Sequence, residues 1–501
     1  SYSYIDSSKN LIRDVIEPTD GYSLVSTIDM NLTKILSDTA SEWFYETDEN
    51  GERVRTAKSY SILAMDPNTG AIKAMVTDTD YDLNNPNDLS AFYTDEELAA
   101  FADNEVKSEE YEKYLEKEQE KLKEQAEASK EKADDDSSNT QDIIEIATAS
   151  PYAAYLNEKG EWDHSTYPTT TDVQNEIWRN GIISNSFEPG STGKVLTYAA
   201  AIEEGLITED TQFDDTHGYL DIGRTMVKCH NYAIGGCGII DAKEAVAQSC
   251  NVAFMEIGKL LGPELFVKYQ QLHNFGQRTG IDLPGETTGI VYGDRMTTID
   301  AACNSFGQTI NVNMMQMMAA YCSIINGGML YQPHIVKRIE SANGEVVKEY
   351  KANLVRQTIT ASTSKLLRRY LKNTVEEGTA KKAGVTGYSV AGKTGTAQKG
   401  DRKDNKWIIS FIGHAPAENP KFAIYVVIDE PYGTTGTSGS SADVLTLTHN
   451  ILEKLLPYMN VYKDASDEYE DTSSSPDELT VDGIPAGTAS VSYTHLTLPT
   501  K

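Results

Sequence analysis

The sequence lacks any run of about 18 apolar residues, so no segment of it is fit to span a bilayer. It is also short of positive charge. Lys and Arg number 44 against 76 Asp and Glu, a formal charge of −32, and no Lys/Arg cluster supplies the basic face that phosphate binding needs. Nucleic acid is therefore excluded as a partner. No glycine-rich phosphate loop and no metal signature occurs. The five cysteines (Cys229, Cys237, Cys250, Cys303, Cys322) contain no pair at metal-ligand spacing, so neither a metal nor a cofactor is expected. Cys229 and Cys237 flank a loop and could pair in an oxidising compartment; buried or free thiols are the alternative. No signal peptide is visible, and the chain starts at Ser1 rather than Met, reading like the middle of a protein.

What is present suffices for a sizeable core. Apolar residues make up 39% of the chain, with 28 Tyr and 11 Phe to supply large buried surfaces. The length of 501 residues allows two to four average domains, or one large domain carrying insertions. The acid is uneven, concentrated from Asp95 to Asp136 and again from Asp464 to Glu478, so it marks solvated segments rather than the fold.

Along the chain, residues 21–45 carry an amphipathic helical pattern with Leu32, Ile35, Leu36 and Trp43 at helical spacing. Residues 59–76 predict a hairpin, two β-rich runs about the turn Asp66-Pro67-Asn68-Thr69-Gly70. Residues 104–136 are dominated by Glu, Lys, Gln and Ala, a solvated helix or disordered insertion within about 94–150 that has no apolar stripe to dock it. From Trp178 to Met459 helices and short strands alternate. Ser191–Glu203 predicts a helix start after Pro189-Gly190, and 242–262 a further helix. Near the end SVAGKTGTAQ, WIISFIGHAP and FAIYVVIDEP read as three strands, closed by a helix over VLTLTHNILEKLLPYM. This order predicts a mixed α/β domain over 21–462 whose largely antiparallel sheet draws strands from both ends of the chain. An acidic linker follows over 463–490. The last eleven residues, VSYTHLTLPTK, back-translate to a sequence resembling a transposon-end adapter, so Val491–Lys501 is set aside as an assembly artefact.

Three short motifs carry chemistry. Ser191-Thr192-Gly193-Lys194 fits S-x-x-K, as do Ser129…Lys132 and Ser362…Lys365; Ser249-Cys250-Asn251 fits S-x-N, as do Ser8…Asn10 and Ser137…Asn139; Lys393-Thr394-Gly395 fits K-T-G and occurs once. Context separates them. Only Ser191 sits at a Pro-Gly turn leading directly into an apolar helix, where backbone N–H groups and the helix dipole favour developing negative charge. Lys194 lies one turn on, where a neutral amine could take the serine proton. A free lysine titrates near ~10.4, so this needs a lowering of roughly 3 units, or about 4 kcal/mol, from burial and a second positive charge such as Lys393. Gly395 is read as the place where substrate backbone lies alongside a strand, or else as a β-bulge. Met314, Met315, Met317 and Met318 are read as helical core, and His230, His273 and His414 as structural or exposed.

With their flanks, WRNGIISNSFEPGSTGK, AVAQSCNVAFMEIG and VAGKTGTAQ resemble the active-site blocks of class B penicillin-binding proteins. GYSLVSTID, ILAMDPNTGAIKAM, FGQRTGIDLPGE, NSFGQTINV, NGGMLYQPHIV and PAENPKFAIYVVIDEP extend the resemblance from about Gly21 to about Met459, apart from the insertion. The resemblance implies the penicillin-recognising serine transpeptidase fold, with a five-stranded, largely antiparallel sheet flanked by helices and a helical subdomain. It implies that Ser191 attacks the carbonyl between the last two D-alanines of a peptidoglycan stem peptide, with Lys194 activating it. Ser249, with Asn251 holding Lys194 and the substrate amide, would relay a proton to the leaving D-alanine. Lys393 would set the electrostatics, the Thr394 and Thr396 hydroxyls would bind the terminal carboxylate beside Gly395, and the backbone N–H groups of Ser191 and Thr396 would form the oxyanion hole. Partners implied are stem peptides, β-lactams and a cell-wall synthesis complex at the extracytoplasmic face of the cytoplasmic membrane. Residues 1–20 would then end an N-terminal pedestal domain, with a membrane anchor upstream. A D,D-carboxypeptidase, a β-lactamase, or a sensor or scaffold that acylates without turnover shares these motifs. Gly193, where the family often has a bulky apolar residue, and Ala442-Asp443, in place of Ala-Pro, depart from the pattern.

Overall fold

The computed structural model describes residues 2–5, 11–14, 21–48, 51, 53–79, 81–129, 136–223, 225–400, 406–432 and 440–465. The acidic linker beyond residue 465 and Val491–Lys501 lie outside them, and of residues 1–20 only an antiparallel pair, Tyr2–Ile5 with Leu11–Asp14, is described.

A five-stranded sheet organises the rest. Its strands are β1 (Ala57–Met65), β2 (Ile72–Thr77), β3 (Ala391–Lys399), β4 (Lys406–Ala415) and β5 (Phe422–Pro431), in spatial order β3-β4-β5-β1-β2. Every neighbouring pair is antiparallel. The two ends of the chain thus meet at the β5–β1 seam, as the sequence predicts. The hairpin joining β1 to β2 turns at 66–70, where Gly70 has φ +80° and lies so close to Gln332 that a Cβ would come 2.5 Å from its carbonyl oxygen.

Seven helices matter for the site: α1 (Met30–Phe44), α2 (Asp95–Ser129), α3 (Lys194–Glu203), α4 (Asn251–Leu272), α5 (Met314–Ile325), α6 (Ala361–Glu376) and α7 (Ala442–Tyr458). Asp29 caps α1 by accepting from the N–H groups of Asn31 and Leu32. The helix buries Leu32, Leu36, Ala40 and Phe44, while Ile35 and Trp43 are only half-buried. The apolar stripe therefore runs slightly round from its predicted position.

Side chains alternate across the sheet. Ile62, Ala64, Ile409, Phe411, Ile424 and Val426 join a core with α1 and α7, whereas Leu63, Met65, Ile412, Tyr425 and Val427 join a larger core with α3, α4, α5 and α6. Both faces are covered, which is why these strands read as continuous apolar runs. The four methionines of α5 are buried in the larger core. His414 and His273 are buried too: His414 bonds the Tyr321 hydroxyl and the Ala417 carbonyl, and His273 the Tyr269 carbonyl.

The charged insertion begins with helix α2. Its first turns are not free, because Leu98 and Phe101 pack with Tyr81, Phe92 and Tyr93 against Leu89, Val173 and Ile177. Tyr111 is buried, donates to the Gly160 carbonyl and meets Tyr152 edge-on. From 112 to 124 no side chain is buried. The insertion is thus docked at its base and solvated over 112–124.

Gly392 and Gly413 face one another across β3 and β4, and the Phe411 ring lies over both: a Cβ on either would come 2.3–2.4 Å from that ring. The ring fills the space of two absent side chains. Phe411→Ala is expected to cost about 3–5 kcal/mol, read as a fall in the denaturant midpoint at constant slope.

Candidate active site

Two segments that are far apart in sequence converge on the outer side of β3, an edge strand. The first is the Ser191 turn. Gly190–Thr192 is a short 3₁₀ turn, and α3 begins only at Lys194, so Ser191 stands just before the helix rather than within it. Gly190 has φ +54° and is pressed onto β3, where a Cβ would come 2.5 Å from the Thr396 carbonyl oxygen. Gly395 completes the contact: a Cβ there would meet Ser410 Oγ at 2.4 Å, Thr192 Cγ2 at 2.9 Å and the Pro189 carbonyl oxygen at 3.0 Å. The pairing of β3 with β4 runs without a bulge from Ala391 to Lys399. Glycine is therefore required here to seat the Ser191 turn against the strand. A bulge does not account for it. Gly193 is equally confined, 3.3 Å from Gly190 O and Pro189 Cγ if it carried a Cβ.

The second segment is the loop between the helix Ala242–Ala247 and α4. Ser249 adopts φ +56°, a conformation that costs a non-glycine residue of order 1–3 kcal/mol and persists only where the surroundings enforce it. The enforcing contacts are visible. Lys194 Nζ donates to the Ser249 carbonyl at 2.7 Å, to Ser249 Oγ at 3.1 Å and to Asn251 Oδ1 at 2.7 Å. Lys393, from β3, donates to Ser249 Oγ at 2.9 Å. The Ser249 hydroxyl thus lies between two amines.

Both amines are fully buried. Burial pushes Lys194 down to about 8, against a smaller upward pull from charge on Cys250, Cys229 and Cys237. Lys393 is pushed well below the usual ammonium range, by burial first and by the Lys194 charge second. The two amines differ in their partners. Lys194 has three short acceptors and the Phe254 ring 5.1 Å away, whereas Lys393, among the described residues, has besides Ser249 only Thr394 O at 3.3 Å and Thr394 Oγ1 at 3.5 Å. Repulsion between the two amines, whenever both are protonated, disfavours the charged form of the pair. All three donors of a protonated Lys194 are engaged by Ser249 and Asn251. Losing one proton frees a lone pair on the amine.

The Ser191 turn, Lys194, Ser249, Asn251, Lys393, Thr394, Gly395 and Thr396 are thus brought together. Ser191 is half-buried, and Thr394 Oγ1 lies 3.3 Å from Thr379 Oγ1, a neighbour not singled out from sequence. The other S-x-x-K match, Ser362…Lys365, lies on α6, capped by Thr360 and away from this cluster. Cys229 and Cys237 carry free thiols, their sulfurs 3.9 Å apart, so the pairing that their loop allowed is not made.

Residues 60–453 match the penicillin-binding protein transpeptidase domain. The chain belongs to the penicillin-binding protein transpeptidase family. Stage V sporulation protein D of Bacillus subtilis (strain 168) is 40% identical over 290 residues, covering 56% of this chain and 44% of that protein. PbpB of Mycolicibacterium smegmatis is 32% identical, covering 59% and 48%, and the probable peptidoglycan D,D-transpeptidase PenA of Neisseria flavescens is 31% identical, covering 56% and 68%. The chain spans less than half the length of the first two. Among solved structures, penicillin-binding protein 3 of Mycobacterium tuberculosis complexed with aztreonam superposes with a TM-score of 0.64 at 22% identity, covering 90% of this chain and 83% of that one. This penicillin-binding transpeptidase fold is the one that the sequence motifs imply. No helix among the described residues is long and apolar enough to cross a membrane.

Asn251→Asp places a carboxylate where Oδ1 now receives the Lys194 amine. It is expected to raise the Lys194 pKa by about 1–3 units, measured by NMR titration of the labelled lysine Cε resonance.

Proposed function

We propose that this transpeptidase domain is a peptidoglycan D,D-transpeptidase working through an acyl-enzyme on Ser191. The observation that carries the reading is the Ser249 hydroxyl held between two buried, pKa-depressed lysine amines beside the Ser191 turn. Depressed amines beside a serine are what nucleophile activation at neutral pH requires.

In this reading Ser191 Oγ attacks the carbonyl carbon between the last two D-alanines, and its proton passes to the neutral Lys194 amine. The carbonyl oxygen takes up the electron pair facing the backbone N–H groups of Ser191 and Thr396, a type of contact worth about 3–4 kcal/mol per donor. Collapse breaks the C–N bond. The departing amine takes a proton delivered from Lys194 through Ser249 Oγ, leaving the Ser191 ester and free D-alanine. An amino group of a second stem peptide then attacks the ester, transferring its proton back along the same path and releasing Ser191. Asn251 holds Lys194 and meets the substrate amide, Lys393 keeps the Ser249 hydroxyl oriented, and the Thr394 and Thr396 hydroxyls take the terminal carboxylate. A β-lactam enters as an analogue of the donor and stays as the ester. Since peptidoglycan lies outside the cytoplasmic membrane, the domain works on the extracytoplasmic face, among the partners that assemble the wall.

Incubation with a fluorescent penicillin is expected to label Ser191, identified by peptide mass spectrometry, and Ser191→Ala to abolish labelling. The labelling rate rises tenfold per pH unit below about 8 and levels off above it, because only neutral Lys194 accepts the proton. A D-Ala-D-Ala stem-peptide donor supplied with an amine acceptor yields the cross-linked product. Hydrolysis alone under those conditions makes the domain a carboxypeptidase, and a label that survives Ser191→Ala removes Ser191 as nucleophile.

A further inference from the structure

Behind Ser249 lies a cluster that the acyl-transfer reading does not use. The strand Gln212–Asp215 pairs antiparallel with Gly238–Asp241, placing Asp215 opposite Gly238. The loop between them folds back so that Gly236, at φ +83°, abuts the Asp215 carbonyl; a Cβ there would come within 1.8 Å of that oxygen. This closure puts Cys229 and Cys237 against Asp215. Cys250, the middle residue of Ser249-Cys250-Asn251, completes the group from another part of the chain. One ligand atom from each of Asp215, Cys229, Cys237 and Cys250 lies within 4.8 Å of all the others.

We infer that Asp215, Cys229, Cys237 and Cys250 form a tetrahedral site for a divalent zinc ion that clamps the Ser249–Asn251 segment from behind. Zinc bonds thiolate sulfur at about 2.3 Å, so two sulfurs on a tetrahedron stand about 3.8 Å apart. Cys229 and Cys237 are 3.9 Å apart, and Cys250 Sγ is 3.2 Å from Asp215 Oδ2. A disulfide needs sulfurs at about 2.05 Å and would strand a third thiol and a carboxylate. Three sulfur donors rule out the hard cations calcium and magnesium, which take oxygen ligands.

Three further observations point to a cation. Asp215 is buried, yet its Oδ1 has no hydrogen-bond partner among the described residues. N–H donors surround the sulfurs as thiolates require: Asn251 N–H reaches Cys229 Sγ at 3.4 Å, Ala253 N–H reaches Cys250 Sγ at 3.4 Å, and Asn231 Nδ2 reaches Cys237 Sγ at 3.5 Å. The Cys237 N–H donates to Asp215 Oδ2 at 3.0 Å, orienting the carboxylate. Binding is balanced by release of the three thiol protons to solvent, four anionic ligands then facing one divalent ion. The sequence hides this site because its spacing is irregular: eight positions from Cys229 to Cys237, and 35 from Asp215 to Cys250.

Metal content is read without reference to acylation, so this site and the Ser191 mechanism stand or fall separately. The full chain, purified without chelator, is expected to hold about one zinc per molecule by inductively coupled plasma mass spectrometry. Cys237→Ser and Asp215→Asn should each lower that occupancy at least severalfold, while Cys303→Ser, outside the cluster, should not. Cobalt substituted for zinc should give an intense sulfur-to-cobalt charge-transfer band that Cys237→Ser diminishes. Wild-type protein that is folded by circular dichroism yet retains no zinc after dialysis against zinc salt overturns the site. So does a cobalt spectrum without sulfur charge transfer, or a cluster disulfide found by mass spectrometry.

Discussion

Two lysine amines and one hydroxyl set the terms for the rest of this molecule. Taking Lys194 and Lys393 out of water is unfavourable for each, and bringing them to the same Ser249 oxygen adds repulsion whenever both carry protons. No local segment could impose this. Lys194 is fixed by α3 in the larger core, Lys393 by a strand hydrogen-bonded along its length to β4, and Ser249 by a backbone conformation it would not choose alone. The stability of the sheet and its two covering layers is what holds the amines where they lose protons easily. A free lysine has no such constraint.

The sheet also explains why distant parts of the sequence are needed at once. Its central strand β5 pairs with β4 on one side and β1 on the other, so β5 has both neighbours only once the hairpin at 57–77 has docked. The edge strand β3 then presents its outer side to the Ser191 turn and the Ser249 loop, both carried by the helical layer over one face. Structure and reactive groups are thus separable: the two apolar cores set positions, and the polar side chains at their border face one another.

Much of this was legible in the sequence for physical reasons. The hairpin announced itself through Asp66–Gly70, the C-terminal strands through apolar runs that only a sheet covered on both faces can bury, and Ser191, Ser249 and Lys393 through motifs in apolar flanks. What escaped depends on contacts between segments. The Ser191 turn is 3₁₀, with the α-helix beginning at Lys194. Gly395 answers to Thr192 and Pro189, neighbours that no local pattern names. The insertion was read as having nothing to dock it, yet Tyr111 and the Leu98–Phe101 turn do so through partners far along the chain. Asp215 and the three cysteines meet only after strand pairing closes their loop.

The fit of Gly395 against Thr192, Pro189 and Ser410 makes the serine turn and the edge strand one mechanical unit. With no slack between them, a displacement of either is a displacement of both. Substitutions that reshape β3 will then be epistatic with those around Ser191, their effects failing to add. Sequence change would find few single steps through this contact and more through paired changes, or through loops that touch neither partner.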